Sequence, residues 1–121
     1  MTQQTTETDI ITLITSAGSA RSLVFQAIRE ARENRDFPHA EALMQQAKEM
    51  LSAAHWIQTQ LISLDEGEGK IPVTLALVHA QDHLMNAVML TELGAEIIAL
   101  HQQIAEKPKD KTVFFRIRAS D

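Results

Sequence analysis

The sequence predicts an all-α fold, an antiparallel bundle of three long helices, and three observations predict it. Apolar residues make up 45% of the 121 but aromatics only 4%, with one Trp and no Tyr, so a core must be built from Leu, Ile, Val, Ala and Met. Four Gly and three Pro leave long stretches free of helix breakers. The prolines, Pro38, Pro72 and Pro108, fall at nearly even intervals and bound segments too long for strands, and within each segment apolar residues recur at three- and four-residue steps.

The first helix is expected from about Thr8 to Arg35, with Thr8 or Asp9 as N-cap and Ile11, Ile14, Ala17, Val24, Phe25, Ile28 and Ala31 on its apolar stripe. The Asp36-Phe37-Pro38 corner ends it. A second stripe follows at Ala40, Leu43, Met44, Ala47, Met50, Leu51, Ala54, Ile57, Leu61 and Ile62, opposed by Glu41, Gln45, Lys48, Glu49 and Ser52. Glu66-Gly67-Glu68-Gly69-Lys70 breaks the period, as paired Gly in a charge cluster favours a turn. The third helix is expected from about Thr74 to roughly Ala105. No interval contains the internal turn of a two-helix repeat. Single helices of about 28 to 32 residues would be about 40 to 48 Å long at about 1.5 Å per residue, a length suited to an antiparallel bundle. The helical domain is thus residues 1–106. The tail 107–121 contains Val113-Phe114-Phe115-Arg116-Ile117-Arg118, compatible with a docking segment, a short strand or a disordered end.

Composition excludes several function classes. With no Cys there are no disulfides, no Cys-ligated zinc and no thiol catalysis, which suits a reducing compartment. A net charge of −5, with basic clustering only near the C-terminus, argues against nucleic acid as a partner. Met1 to Asp9 is polar and acidic, unlike a secretory leader, and no uninterrupted apolar run approaches the roughly 18 residues of a membrane span. A cytoplasmic chain without membrane insertion is expected.

The third helix departs from the other two. Between Thr74 and Leu100 the only formal charges apart from histidine are Asp82, Glu92 and Glu96, while Leu75, Leu77, Val78, Leu84, Met85, Val88, Met89, Leu90, Leu93, Ile97 and Ile98 project in nearly every direction. A helix apolar all round is buried all round, and so small a chain cannot surround one by itself, so self-association through this helix is expected. Leu75, His79, Asp82, Asn86, Met89 and Leu93 follow three-four spacing and share a seam. Copies of Asp82 meeting at a symmetry axis would need shared protons or a cation, and a hard divalent ion with oxygen ligands, magnesium foremost, would relieve the repulsion.

The stretch Leu77-Val78-His79-Ala80-Gln81-Asp82-His83-Leu84-Met85 closely resembles the signature of the IIA components of the lactose/cellobiose class of the bacterial sugar phosphotransferase system. Gly18-Ser19-Ala20-Arg21-Ser22, the Asp36-Phe37 corner, Ala54-His55 and Gln58-Thr59 resemble the family pattern in the same order, so the likeness covers roughly residues 8 to 105. The Gly67-Glu68-Gly69-Lys70 turn is more similar to the chitobiose/cellobiose branch than to the lactose branch. The resemblance implies a homotrimeric three-helix bundle assembled through the third helix. His79 would accept a phosphoryl group from the phosphocarrier protein HPr and pass it to a IIB protein or domain. Asp82 would occupy the position that binds Mg2+ at the trimer axis.

Such a carrier needs an unprotonated imidazole nitrogen, held in one orientation and open to two successive partners. Phosphoryl transfer needs in-line positioning and donors for the spread charge, and Gln81 is a candidate donor, on the same helix or across a subunit boundary. His83, next to Asp82 and one turn from His79, is a candidate to hydrogen-bond the active imidazole's partner or simply to cap polar surface. Arg21, on or near the first apolar stripe, reads as a snorkelling side chain or a phosphate contact. His39, His55 and His101 read as structural or solvated. Two alternatives remain: a metal-binding bundle, against which stands the absence of paired Glu-x-x-His motifs, and a non-catalytic helical adaptor.

Overall fold

A computed structural model describes residues 3–107, with side chains from Glu7 onward. It contains the three expected helices: α1, Gln3–Arg29; α2, Phe37–Asp65; and α3, Leu75–Glu106. Helix α1 begins five residues before the expected cap, so Thr8 and Asp9 lie inside it. Its threonines sustain the helix by donating their hydroxyls backwards, Thr12 to the Thr8 carbonyl at 2.9 Å and Thr15 to that of Ile11 at 3.0 Å. At the other end α1 widens into a π turn over Glu30–Asn34, and Arg35 takes the left-handed conformation at φ 51°. The next residue starts α2 at once. Asp36 accepts the His39 N–H at 3.1 Å, and Pro38 occupies the first turn, where its missing N–H costs nothing.

The core is three stripes at mainly three-four spacing: Leu13, Ala17, Ala20, Val24, Ala27 and Ala31 on α1; Ala40, Leu43, Met44, Ala47, Leu51, Ala54 and Leu61 on α2; and Leu77, Ala80, Leu84 and Ala87 on α3, continued by Thr91 and Gly94. Alanine recurs every seven residues on each helix, and such small side chains let the backbones approach closely. The tightest approach is at Gly94, where an added Cβ would lie 2.6 Å from Val24 Cγ1. The buried Thr91 hydroxyl is satisfied by the Ala87 carbonyl at 2.8 Å. Helix α1 packs against both others, whereas α2 and α3 pack less closely with each other, leaving grooves along their shared edge.

The α2–α3 connection is built as its glycines predict. Gly67 and Gly69 have φ of 69° and 75°, and Asp65 clamps the loop by accepting the N–H of Ile71 at 2.9 Å and of Gly69 at 3.3 Å. Thr74 then caps α3, its hydroxyl accepting the Leu77 N–H at 3.1 Å. Two residues assigned to the second stripe face outward instead: Met50 and Ile62 are 39% and 63% exposed, and their neighbours Leu51 and Leu61 take the buried positions. Helix α3 is also long and apolar enough by composition to cross a membrane, although the sequence has no uninterrupted apolar run of that length. The Val113–Arg118 segment lies outside the described residues.

Candidate functional site

Helix α3 has two apolar faces, and only the inner one is used within the chain. On the outer face Leu75, Val78, Met85, Met89 and Leu93 are all at least half exposed. Asp82 stands in line with them, and the Asn86 amide donates to its Oδ2 at 3.3 Å, which fixes the carboxylate and leaves the other oxygen open. The seam of Leu75, His79, Asp82, Asn86, Met89 and Leu93 therefore lies on this face, shared with Val78 and Met85. In a single chain its polar members are exposed, and burial there would require another copy.

His79 is exposed at the flank of this face, held by His83 one turn on. Their Nε2 atoms are 3.1 Å apart, and the rings meet edge to face at 85° with centroids 4.4 Å apart. One Nε2 must donate and the other accept, so the contact couples the tautomers of the two rings and orients them together. Residues four apart on a helix are neighbours, so the i, i+4 spacing alone produces this contact. Across from it, Arg21 and Phe25 of α1 line a groove with Asp82, His83, Asn86 and Leu90 of α3. The Arg21 guanidinium lies over the Phe25 ring, 5.8 Å from its centroid, and is exposed rather than drawn along the core. It supplies a cation to the groove that His83 lines. The signal for this was present in Gly18-Ser19-Ala20-Arg21-Ser22, but only the α1–α3 packing shows which side of α3 Arg21 faces.

Gln81 does not join that group within the chain. Two residues on from His79, it falls on the opposite flank of α3, half-buried, where it accepts a hydrogen bond from the Gln58 amide of α2. The Gln58 amide also contacts Met85 Sδ at 3.6 Å. Gln81 can approach a His79 imidazole only from a neighbouring copy. His55 and Trp56 are exposed on α2, and His39 pairs with Glu30 at 3.3 Å at the far end of the bundle.

Metal ligands are sparse near His79. Asp82 belongs to no group of three close ligands among the described residues. Among the described residues such a group occurs at Glu30, Asp36 and His39, already committed to capping α2 and closing the π turn. Asp82 offers one hard carboxylate, a donor type that would suit magnesium, and further ligands for a cation there would have to come from outside the described residues.

Three long helices with a small-residue core thus carry a histidine pair beside an apolar face that the chain itself leaves unused. The family model for the lactose/cellobiose-specific IIA subunit matches residues 8–102, and the chain belongs to that family. Within it the chain has chitobiose- and cellobiose-specific components among its relatives. It is 46% identical over 95 residues to the N,N'-diacetylchitobiose-specific EIIA component of Escherichia coli K12, covering 78% of this chain and 81% of that protein. It is 43% identical over 98 residues to the lichenan-specific enzyme IIA component of Bacillus subtilis, covering 81% and 88%. Among solved structures, the cellobiose-specific enzyme IIA of Bacillus anthracis superposes with a TM-score of 0.80 at 37% identity, over 89% of this chain and 96% of that one. The Escherichia coli IIA(chitobiose) chain, solved in complex with HPr, gives 0.72 at 44% identity, over 82% and 95%.

Proposed function

We propose that this chain is a cytoplasmic phosphocarrier for uptake of a disaccharide of the chitobiose or cellobiose kind, taking a phosphoryl group from HPr on His79 and passing it to a IIB protein or domain. The observation that carries the reading is the exposed His79–His83 pair, set within a chain of this family and facing open solvent where two partners can reach it in turn. In the forward step a lone pair of the His79 imidazole attacks phosphorus in line, the N–P bond forms, and the bond from phosphorus to the donor's atom breaks; at IIB the same exchange runs outward. If Nε2 is the attacking atom, the His79–His83 hydrogen bond opens as the N–P bond forms. That frees the His83 Nε2–H to donate to a phosphoryl oxygen. Arg21 lies on the same side to meet the spread negative charge.

The outer face of α3 supports a homotrimer as the working form. Leu75, Val78, Met85, Met89 and Leu93 present too much apolar surface to be left in water, and Asp82 in their midst would gather one carboxylate per copy around the axis. Asp82 would hold Mg2+ there, whose chemistry is neutralisation of crowded charge. Gln81, turned away from its own His79, would serve a neighbour's. HPr is supported as donor by the HPr complex of the chitobiose relative.

Incubation with phosphoenolpyruvate, enzyme I and HPr, followed by intact mass measurement, tests the reading. An acid-labile phosphoryl adduct is expected on the wild type and not on His79→Ala. An unmodified wild-type protein would overturn it in favour of a non-catalytic adaptor.

A further inference from the structure

We propose that His79 and His83 together form a chelating site for a divalent transition metal, zinc foremost, which competes with the phosphoryl group for the same ring nitrogen. Histidines at i and i+4 on one helix face have the spacing by which a single helix supplies two ligands to zinc. Here the two Nε2 atoms already lie 3.1 Å apart. With zinc–nitrogen bonds of about 2.0–2.1 Å, tetrahedral geometry asks for nitrogens about 3.3–3.4 Å apart, so the pair needs to open by only about 0.3 Å. His79 is exposed and His83 partly so, which leaves room for the rings to turn both lone pairs toward one ion. Neutral imidazole is also the donor that favours zinc, copper or nickel, whereas magnesium takes oxygen ligands. The pair thus differs in chemistry from the carboxylate of Asp82.

The protons balance. In the metal-free pair one Nε2 carries the proton of the hydrogen bond. On chelation that ring takes the tautomer protonated at Nδ1, both Nε2 lone pairs bind the ion, and no net proton leaves. Charges nearby offset each other: Arg21 and Asp82 line the groove with His83, alongside the neutral Phe25, Asn86 and Leu90. Attraction for the ion therefore comes from the two nitrogens rather than from net charge. Ala80, fully buried, stands where a hydrolytic His-Glu-x-x-His zinc site carries its Glu, so the pattern lacks that site's general base. What it has instead is a shared atom. A His79 Nε2 lone pair given to zinc is closed to phosphorus, and a ring phosphorylated there has lost its place in the chelate. That competition, unlike the chelation, rests on His79 being the phosphoryl acceptor.

Titration of the full chain with Zn2+, read by calorimetry and by the histidine ring nitrogens in NMR, tests the site. The Nε2 signals of His79 and His83 should move together. His79→Ala and His83→Ala should each weaken binding by about tenfold or more through loss of the chelate, with circular dichroism checking that the variants stay helical. His39→Ala, which breaks the Glu30, Asp36 and His39 group at the far end of the bundle, should leave the site intact. Binding unchanged in His83→Ala, or lost only in His39→Ala, would overturn the chelate. None of these readings needs phosphoryl transfer. Protein phosphorylated through enzyme I and HPr should also bind Zn2+ about tenfold or more weakly. Phosphoprotein that binds as well as the unmodified chain would overturn the competition. A chain that takes no phosphate would overturn the carrier reading and the competition with it, while the titration still decides the chelate.

Discussion

The two faces of α3 are built from similar material and put to opposite uses. The inner face places Leu77, Leu84 and small residues against α1 and α2, at full burial. The outer face, half a turn away, places Leu75, Val78, Met85, Met89 and Leu93 in water around one carboxylate. The difference is side-chain size and polarity. Ala80, Ala87 and Gly94 admit another backbone closely, whereas long side chains spaced around Asp82 suit a looser seam that must leave room for His79. Apolar content alone therefore says nothing about which partner a face awaits; the distribution of small residues does.

The largest effect should come from a charge on the outer face. Met89→Glu is expected to convert the proposed trimer to monomers in sedimentation while helical circular dichroism is retained. An assembly that survives it would show that the outer face is not the interface. Inside, Leu84→Ala should cost about 2–5 kcal/mol in urea unfolding, since the side chain is fully buried. A cost near zero would mean that the inner face is not the packed one. Asp82→Leu should remove bound divalent metal and strengthen association by about 1–4 kcal/mol, because like charges are replaced by apolar contact; retained metal by elemental analysis would place the ion elsewhere. Gly94→Ala should lose about 1–3 kcal/mol despite better helix propensity, because Val24, β-branched and held in one rotamer, cannot yield at 2.6 Å. Adding Val24→Ala should recover most of the loss. Smallest of all, Asp36→Ala should cost about 1 kcal/mol by removing the α2 cap, with neither face affected.

Much of this was legible in the chain, for physical reasons. Helices of thirty residues with a three-four stripe have few alternative structures, and Gly67, Gly69 and the prolines marked the connections. That His79, Asp82 and His83 share one side of α3 was legible through helix geometry. What periodicity did not show was which side of α3 each polar residue takes. Gln81 fell away from His79 toward Gln58, and Arg21 came to face the histidine side, because both outcomes depend on where α1 and α2 sit around α3. The start of α1 was misjudged for a different reason: Thr8 has the chemistry of a cap, but hydroxyls bonding back along a helix serve equally well inside it. Met50 and Ile62 were placed inside by hydrophobicity, whereas their neighbours Leu51 and Leu61 take the buried positions.

The alanine stripes carry one more consequence. A surface that repeats every seven residues looks nearly the same after one helix slides past another by a heptad, about 10.5 Å. Small, uniform contacts thus favour closeness without specifying alignment. The fit of Val24 over Gly94 ties α1 to α3, and the Gln58–Gln81 amide pair ties α2 to α3, at one setting each. These two points act as a vernier: they select a single alignment of the helices, and with it the height at which the histidine pair of α3 stands opposite Arg21.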